Sequence, residues 1–537
     1  DGNCADYLYS PSFDQSGLAN GLWGLFRAYD PTKPAQKLEP LPNNPVGPGA
    51  NVTYATCPAT LAPPAIKRVF NITAVTAQKA LSVRSPMSGT SKGQIVLNDR
   101  GNPNDQLAVI SKSPVSSSML STGIMYVRSE DLDAQGLLKA GVPIEPLILR
   151  ANAGDCIEVN LTNAIDPSNS DLYNQNFFMA PPFNTTPPYP NKASRYVGLN
   201  PQLLAYDAAQ SYGINVGWNS KGQKDQVVPF NQKTKYQWYA GKIGRDSTGN
   251  LTYTPVEFGA LNLFPSDPVF QNINGLFGSM IIEPAGSTWQ CGEAGSLANC
   301  DPSTGSPPTS RASATVTLAN NTAKFREFAL MISDAMLSNN NNPSRPVNAQ
   351  GAVNYRTEPQ AFRYAGNATP DFSCMASNNL IQPAAQDPKT PIFTAAVGDN
   401  VRFRMAHPFG TGASQVFTVH GHVWQRNPYK NNSTQIGDNK LSQWLGSRDN
   451  HGSSDHFDFV IDKAGGAGGQ AGDYLYIGFV PIQARQGAWG IFRVGTTSGQ
   501  LNQNARCIPV LQPNYVPPKK NDDLDRFNRP PIKPGQP

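Results

Sequence analysis

All five histidines of this 537-residue chain fall between 407 and 456: His407, His420, His422, His451 and His456. Neutral imidazole is a frequent metal ligand, so such clustering directs attention to metal chemistry. In Gln415-Val416-Phe417-Thr418-Val419-His420-Gly421-His422-Val423-Trp424, strand alternation would put His420 and His422 on one face, where they could chelate a first-row transition metal. His456 starts a second alternating run, with Asp455 and Asp458 placed to accept from an imidazole N–H. A His-x-His pair supplies two ligands, and such a metal takes a third, from His456 or from a residue outside this chain. The expected metal set is His420, His422, His456 and His451, while His407 beside Pro408 reads as structural. The competing reading stays open: half-buried strand histidines bonded to backbone or water, with Gly421 marking a bulge. No His-Glu-x-x-His helix is present and no two carboxylates are singled out by spacing, so no catalytic residue is identified.

The elements that must carry these residues are strands. Gly (47) and Pro (48) are abundant and charged residues make up only 15%, which favours many short strands and turns over surface helices. An internal repeat supports this reading. Asp473-Tyr474-Leu475-Tyr476 followed by Gly487-Ala488-Trp489-Gly490-Ile491-Phe492-Arg493 recurs as Asp6-Tyr7-Leu8-Tyr9 and Gly21-Leu22-Trp23-Gly24-Leu25-Phe26-Arg27. A looser copy runs from Glu257 to Leu261 and from Gly275 to Ile281. Each copy reads as the closing hairpin of a β-sandwich. A second repeat, Leu147 to Leu161 against Ile392 to Arg404, reads as strand, Gly-Asp turn, strand, and is expected to form a hairpin. The expected organisation is 1–30, closing hairpin of a preceding domain; 31–64, linker; 65–284, first complete domain; 285–324, linker; 325–494, second domain; and 495–537, an extended tail, Pro-rich from 513.

A chain of this length supports two or three cores. Its net charge of +5 is small and no Lys/Arg block interleaves with aromatics, so nucleic acid is not an expected partner. No run of about 20 apolar residues could span a membrane as a helix. Seven cysteines without a Cys-x-x-Cys pair fit disulfides in an oxidising compartment, with Cys291 and Cys300 the expected pair.

The run from Tyr474 to Val494 resembles, without a gap, the closing motif of multicopper oxidases. Ile477, Gly478 and Phe479 stand where that family has His-Cys-His, Gln483 where it has a histidine and Ala488 where it has a methionine. Gln415 to His422 is similar to the family's His-Pro-x-His-x-His-Gly-His, with Gln415 and Thr418 in place of the first two histidines. Leu199-Asn200-Pro201-Gln202 and Phe264-Pro265-Ser266 stand where the earlier His-x-His pairs would fall, and Ser10-Pro11-Ser12 where the hairpin's His-Cys-His would. Blue-copper electron transfer needs the thiolate, so the resemblance implies that this chain does not hold that centre alone.

The texture is closest to the large six-domain bacterial multicopper oxidases, manganese oxidases among them. The resemblance implies tandem cupredoxin-like Greek-key β-sandwiches in an all-β, extracellular or periplasmic protein. It also implies copper as cofactor, supplied mainly by an upstream segment or a separate chain that completes the first sandwich. The implied activity is oxidation of a metal such as Mn(II), or of an organic donor, with reduction of O2. The alternative is a copper-free scaffold or interaction protein of the same fold.

Overall fold

The computed structural model describes residues 5–10, 21–28, 57–83, 94–98, 107–109, 123–166, 193–217, 219, 225–268, 270–302, 307–333, 338–340, 351–363, 372–377, 387–409, 415–431, 433–478, 484 and 487–495. β1 (Ala5–Tyr9) and β2 (Gly24–Ala28) pair antiparallel, with Asp6 opposite Arg27, Tyr7 opposite Phe26 and Tyr9 opposite Gly24. Next come β3 (Lys67–Thr76), β4 (Val96–Asn98), β5 (Leu107–Val109), β6 (Ile124–Arg128), β7 (Leu147–Asn152), β8 (Cys156–Asn163), β9 (Leu199–Pro201), β10 (Ala205–Tyr206), β11 (Lys233–Tyr239), β12 (Gly241–Arg245), β13 (Leu251–Pro255), β14 (Gly259–Pro265) and β15 (Gly278–Glu283). Two sheets, ordered β10-β11-β8-β3-β6 and β7-β15-β14-β9, enclose the first core. In β8 the alternation is strict: Ile157, Val159 and Leu161 face that core, while Glu158, Asn160 and Thr162 are half-buried on the other side.

The second sandwich uses β16 (Thr288–Cys291), β17 (Ser313–Thr317), β18 (Lys324–Ser333), β20 (Ala352–Val353), β21 (Ile392–Ala395), β22 (Val401–Phe409), β23 (Gln415–Val419), β24 (Trp424–Gln425), β25 (Trp444–Leu445), β26 (Arg448–His451), β27 (His456–Ile461), β28 (Gly472–Gly478) and β29 (Trp489–Val494), whereas β19 (Ser338–Asn340) pairs with β5. Its sheets run β16-β17-β18-β22-β27 and β21-β29-β28-β23-β26. The stretch 285–324 thus contains two strands that extend this sandwich, and a disulfide joins Cys291 to Cys300 within it. A second disulfide ties Cys57 to Cys156. The described α-helices are single turns of four residues.

All three copies of the first repeat pair as antiparallel hairpins: β1–β2, β14–β15 and β28–β29. The second repeat is not a hairpin. β7 lies in one sheet and β8 in the other, as do β21 and β22, so the Gly-Asp turn carries the chain across the sandwich. Gly154 (φ +90°) and Gly398 (φ +85°) supply the left-handed residue. In each turn the following aspartate accepts the N–H three residues back, Asn152 to Asp155 and Ala396 to Asp399, both at 2.8 Å.

The two sandwiches are welded by a shared apolar layer in which Met125, Ile148, Phe277 and Ile281 meet Ala329, Met331, Tyr355 and Ala406. β18 is therefore buried on both faces, with Phe328, Leu330 and Ile332 turned into its own core. Within this weld lies a fully buried ion network. Arg404 donates to Glu283, Glu327 and Asp458 at 2.8–2.9 Å, and Arg150 donates to Glu327 at 2.8 Å. Burial and the neighbouring Glu327 raise the Glu283 carboxyl well above its ordinary range. Burial opposes the charge on Glu327 too, but Arg150 and Arg404 outweigh it and hold that carboxyl low. The two neighbouring glutamates are thus driven in opposite directions by one set of charges.

Candidate metal centre

The structure separates the five histidines: His407, His451 and His456 lie at the end of the second sandwich where β22 finishes and β27 begins, and His420 and His422 lie past the far end of β23, beside Gly465. β23 stops at Val419, and His420-Gly421 forms a turn in which Gly421 takes φ +73°. His420 is exposed, with its N–H donating to the Leu475 carbonyl, whereas His422 is buried. The period-2 geometry expected for this pair therefore does not form. His422 has both ring nitrogens engaged: Nδ1 with the His420 carbonyl at 2.9 Å, and Nε2 with the N–H groups of Gly465 and Gly466 at 3.1 and 3.2 Å. That pattern fixes the proton on Nδ1, and the ring packs edge-on to Tyr474 and Phe492. Burial lowers its pKa.

His456 lies opposite Ala406 across the β22–β27 ladder and lines a cleft of about 170 Å³ with Phe258, Trp424, Tyr429, Arg448 and Asp458. Burial lowers its pKa, against the pull of Asp458 and Asp455. Drug-sized ligands need roughly 300–1,000 Å³, so this cleft is small. His451, at the end of β26, is buried, and desolvation, with His407 and Arg448 nearby, pushes its pKa down to about 2. Its Nδ1 stands 3.3 Å from Nδ1 of His407, the residue that sequence reasoning set aside as structural. Among the described residues, no three His, Cys, Asp or Glu side chains form a group able to hold a metal ion. His420, His422, His451 and His456 are not brought together as a ligand set, so the described residues do not fit a copper centre of the kind the resemblance implies.

At several of the positions where the resemblance would place ligands, side chains tie backbone instead. Thr418 donates its hydroxyl to the Gly446 carbonyl at 2.6 Å, Asn200 its amide to Tyr212 at 2.7 Å and Ser266 its hydroxyl to Tyr196 at 3.0 Å. Ala488 is buried, and its carbonyl accepts the Gly478 N–H. Phe479, Gln483, Pro11 and Ser12 lie outside the described residues.

The N-terminal hairpin differs from its copies in what covers it. In the second sandwich, Tyr474, Tyr476 and Phe492 turn into the core, Tyr476 lies across Gly490, and its hydroxyl donates to Pro391 just before β21. In the N-terminal copy, Tyr9 lies across Gly24 in the same way, and Asp6 and Arg27 pair as Asp473 and Arg493 do. One face, Asp6, Leu8, Leu25 and Arg27, rests on the first sandwich at Ala208, Tyr212 and Val216. Asn219 meets Asp6 as a strand would, its side chain accepting the Asp6 N–H at 3.0 Å and donating to the Asp6 carbonyl at 2.8 Å. The opposite face, equivalent to the core face of β28–β29, is open: Tyr9 is 62% and Phe26 63% exposed, against 0% for Tyr476 and Phe492.

Each complete sandwich carries one parallel pair in each sheet, β3 with β8 and β7 with β15, then β18 with β22 and β21 with β29. The fold is cupredoxin-like. Among solved structures it is similar to a multicopper oxidase, with TM-score 0.39 and 13% identity over 82% of this chain and 94% of that one. It is similar also to the copper nitrite reductase from Nitrosomonas europaea, with TM-score 0.37 and 12% identity over 81% and 95%. A blue copper oxidase from the same organism gives 0.37 and 12% over 80% and 86%. No protein-family model and no curated protein matches the chain. Among the described residues, no helix is long and apolar enough to cross a membrane.

Proposed function

We propose that this chain is the supporting part of an extracellular, multicopper-oxidase-like oxidoreductase whose redox copper centres lie in the polypeptide that completes the sandwich begun by β1–β2. The observation that carries this reading is the hairpin's open aromatic face. Two strands alone are marginal in water, and a core-type face of Tyr7, Tyr9 and Phe26 left open is what half a sandwich presents before its other strands arrive. The sequence likeness of the closing motif to multicopper oxidases supports the reaction class, and the disulfides Cys57–Cys156 and Cys291–Cys300 agree with an oxidising compartment. In this reading the copper would be held by the completing polypeptide and would supply one-electron oxidation of a reduced donor, Mn(II) among the candidates, coupled to reduction of O2, while this chain supports the fold around it.

A second reading, a copper-free scaffold of the same fold, is favoured by the saturated His422 and by the backbone-tying residues at ligand positions. Elemental analysis and a visible absorption scan of the intact assembly separate the two. Copper with blue absorption supports the oxidase, whereas an assembly without copper overturns it in favour of the scaffold.

A further inference from the structure

His407 and His451 belong to no ligand position of the closing motif or of the His420 segment, and their placement stands independently of the oxidase reading. His407 lies in β22 and His451 at the end of β26, 44 residues apart in sequence, and the two rings meet edge to face inside the protein. Their Nδ1 atoms are 3.3 Å apart. That is beyond the roughly 2.7–3.2 Å usual for a hydrogen bond from nitrogen. It equals the edge of about 3.3 Å that a tetrahedral ion with metal–nitrogen bonds of about 2.0–2.1 Å sets between two imidazole ligands.

The surroundings are polar and poorly satisfied. Gln415, the cross-strand partner of His451, is fully buried, and neither its amide oxygen nor its amide nitrogen has a hydrogen-bond partner. The buried hydroxyl of Ser453 has none either. Burying several polar groups without partners is costly, and such a group in a folded protein calls for an ion or ordered water. An ion also answers why two imidazoles are held with the same nitrogen facing inward.

We infer that His407 and His451 form, through their Nδ1 atoms and with Gln415 as oxygen donor, a buried site for a first-row ion of the zinc and copper class, which favours imidazole ligands. The site ties β22 to the β23–β26 edge of the other sheet and so closes the end of the second sandwich. It is a structural tie, with no redox step assigned to it.

The test uses the full chain, stripped with chelator and labelled with 15N-histidine, which gives only five imidazoles to follow. Zn2+, and in a parallel sample Co2+, is titrated while the ring nitrogens are read by NMR and Co2+ by its visible bands. The expected result is saturation at one equivalent, shifts at Nδ1 of His407 and His451, tetrahedral Co2+ bands and a raised Tm. His451→Ala abolishes all four, while His420→Ala leaves them unchanged. The NMR readout on the unaltered chain decides the matter even where His451→Ala folds poorly. Absence of saturable binding, or shifts confined to the exposed His420, overturns the inference and leaves ordered water as the occupant.

Discussion

Phe26 and Phe492 occupy the same place in two copies of one motif, and truncating them should have different costs. Phe492 is fully buried against Phe328, Phe403 and Tyr474. Phe492→Ala therefore removes a core ring and should cost about 3–5 kcal/mol. Phe26 is 63% exposed, so it keeps only about a third of the contact. At about 25 cal/mol per Å² on a ring worth roughly 150–250 Å², Phe26→Ala should cost the isolated chain about 1–2 kcal/mol at most. In the completed assembly the ranking changes, because Phe26 would then lie in an interface core, where losing an aromatic anchor costs about 2 kcal/mol or more, on the order of a thirtyfold loss of affinity. The glycines give an internal check. A Cβ at Gly490 would stand 2.1 Å from the buried Tyr476 hydroxyl, whereas one at Gly24 meets the exposed Tyr9, which can swing into solvent. Gly490→Ala should thus be the more damaging of that pair. Urea unfolding of the four variants, followed by tryptophan fluorescence and calorimetry, measures the chain-level costs. If Phe26→Ala destabilises the isolated chain as much as Phe492→Ala does, the open face is already covered and the half-sandwich argument fails.

The buried ion network predicts opposite behaviour for two adjacent acids. Arg404→Ala should cost about 3–5 kcal/mol, because it strands Asp458 without its cation and leaves Glu327 with Arg150 alone, and calorimetry should show the two sandwiches melting separately. Glu283 has a raised folded pKa, so it burdens the folded state once pH exceeds the ordinary carboxyl value. Glu283→Gln should be neutral near pH 4 and stabilising near pH 7, and Glu327→Gln destabilising at pH 7; urea midpoints at the two pH values decide it. Asp207, pushed up to about 6 mainly by burial, makes stability fall as pH rises from about 4 through 6. Asp207→Asn should recover about 1–2 kcal/mol above pH 7, after discounting about 3 kcal/mol for solvent screening, and nothing at pH 4, as thermal melts across that range would show. His422→Ala leaves the N–H groups of Gly465 and Gly466 without their acceptor and should cost about 1–3 kcal/mol in urea unfolding.

Much of this architecture is legible in the sequence because strand alternation and tight packing leave local marks. The Asp-Tyr-Leu-Tyr and Gly-x-Trp-Gly matches that align 6–27 with 473–493 correspond to tyrosines laid across glycines in register, Tyr9 on Gly24 and Tyr476 on Gly490. Other features left no local mark. One residue in the left-handed region, Gly421, takes His420 and His422 out of the strand, and the Tyr474 ring lies 3.0 Å from where a Cβ there would be, so even alanine would crowd it. The partners of the weld's charges lie 54 to 177 residues away, so no short window pairs them. A single Arg or Glu inside a run such as Leu147-Ile148-Leu149-Arg150 was the available signal, since a charge in a doubly buried strand must find a counter-charge across the interface.

A cupredoxin-like sandwich can stand without imidazoles at the positions where the resemblance would place ligands. A histidine that binds metal contributes little to the strand ladder itself, so it can be exchanged if its replacement satisfies the backbone or fills the space. Thr418, Asn200 and Ser266 each donate to a main-chain carbonyl, and Ala488 packs in the core. Gln415 breaks this rule. It stands where the resemblance places a histidine, it is fully buried, and its amide satisfies nothing in the protein. It is also the residue whose strand partner, His451, points an imidazole at a second imidazole 3.3 Å away. Gln415 and the facing imidazoles of His407 and His451 are thus gathered at one end of the sandwich. If that polarity serves a bound ion, replacing Gln415 with the near-isosteric but apolar methionine should lower metal affinity while raising the stability of the metal-free chain. If it serves nothing, Gln415→Met should raise stability and leave metal binding unaltered, which separates a retained ligand site from an incidental polar pocket.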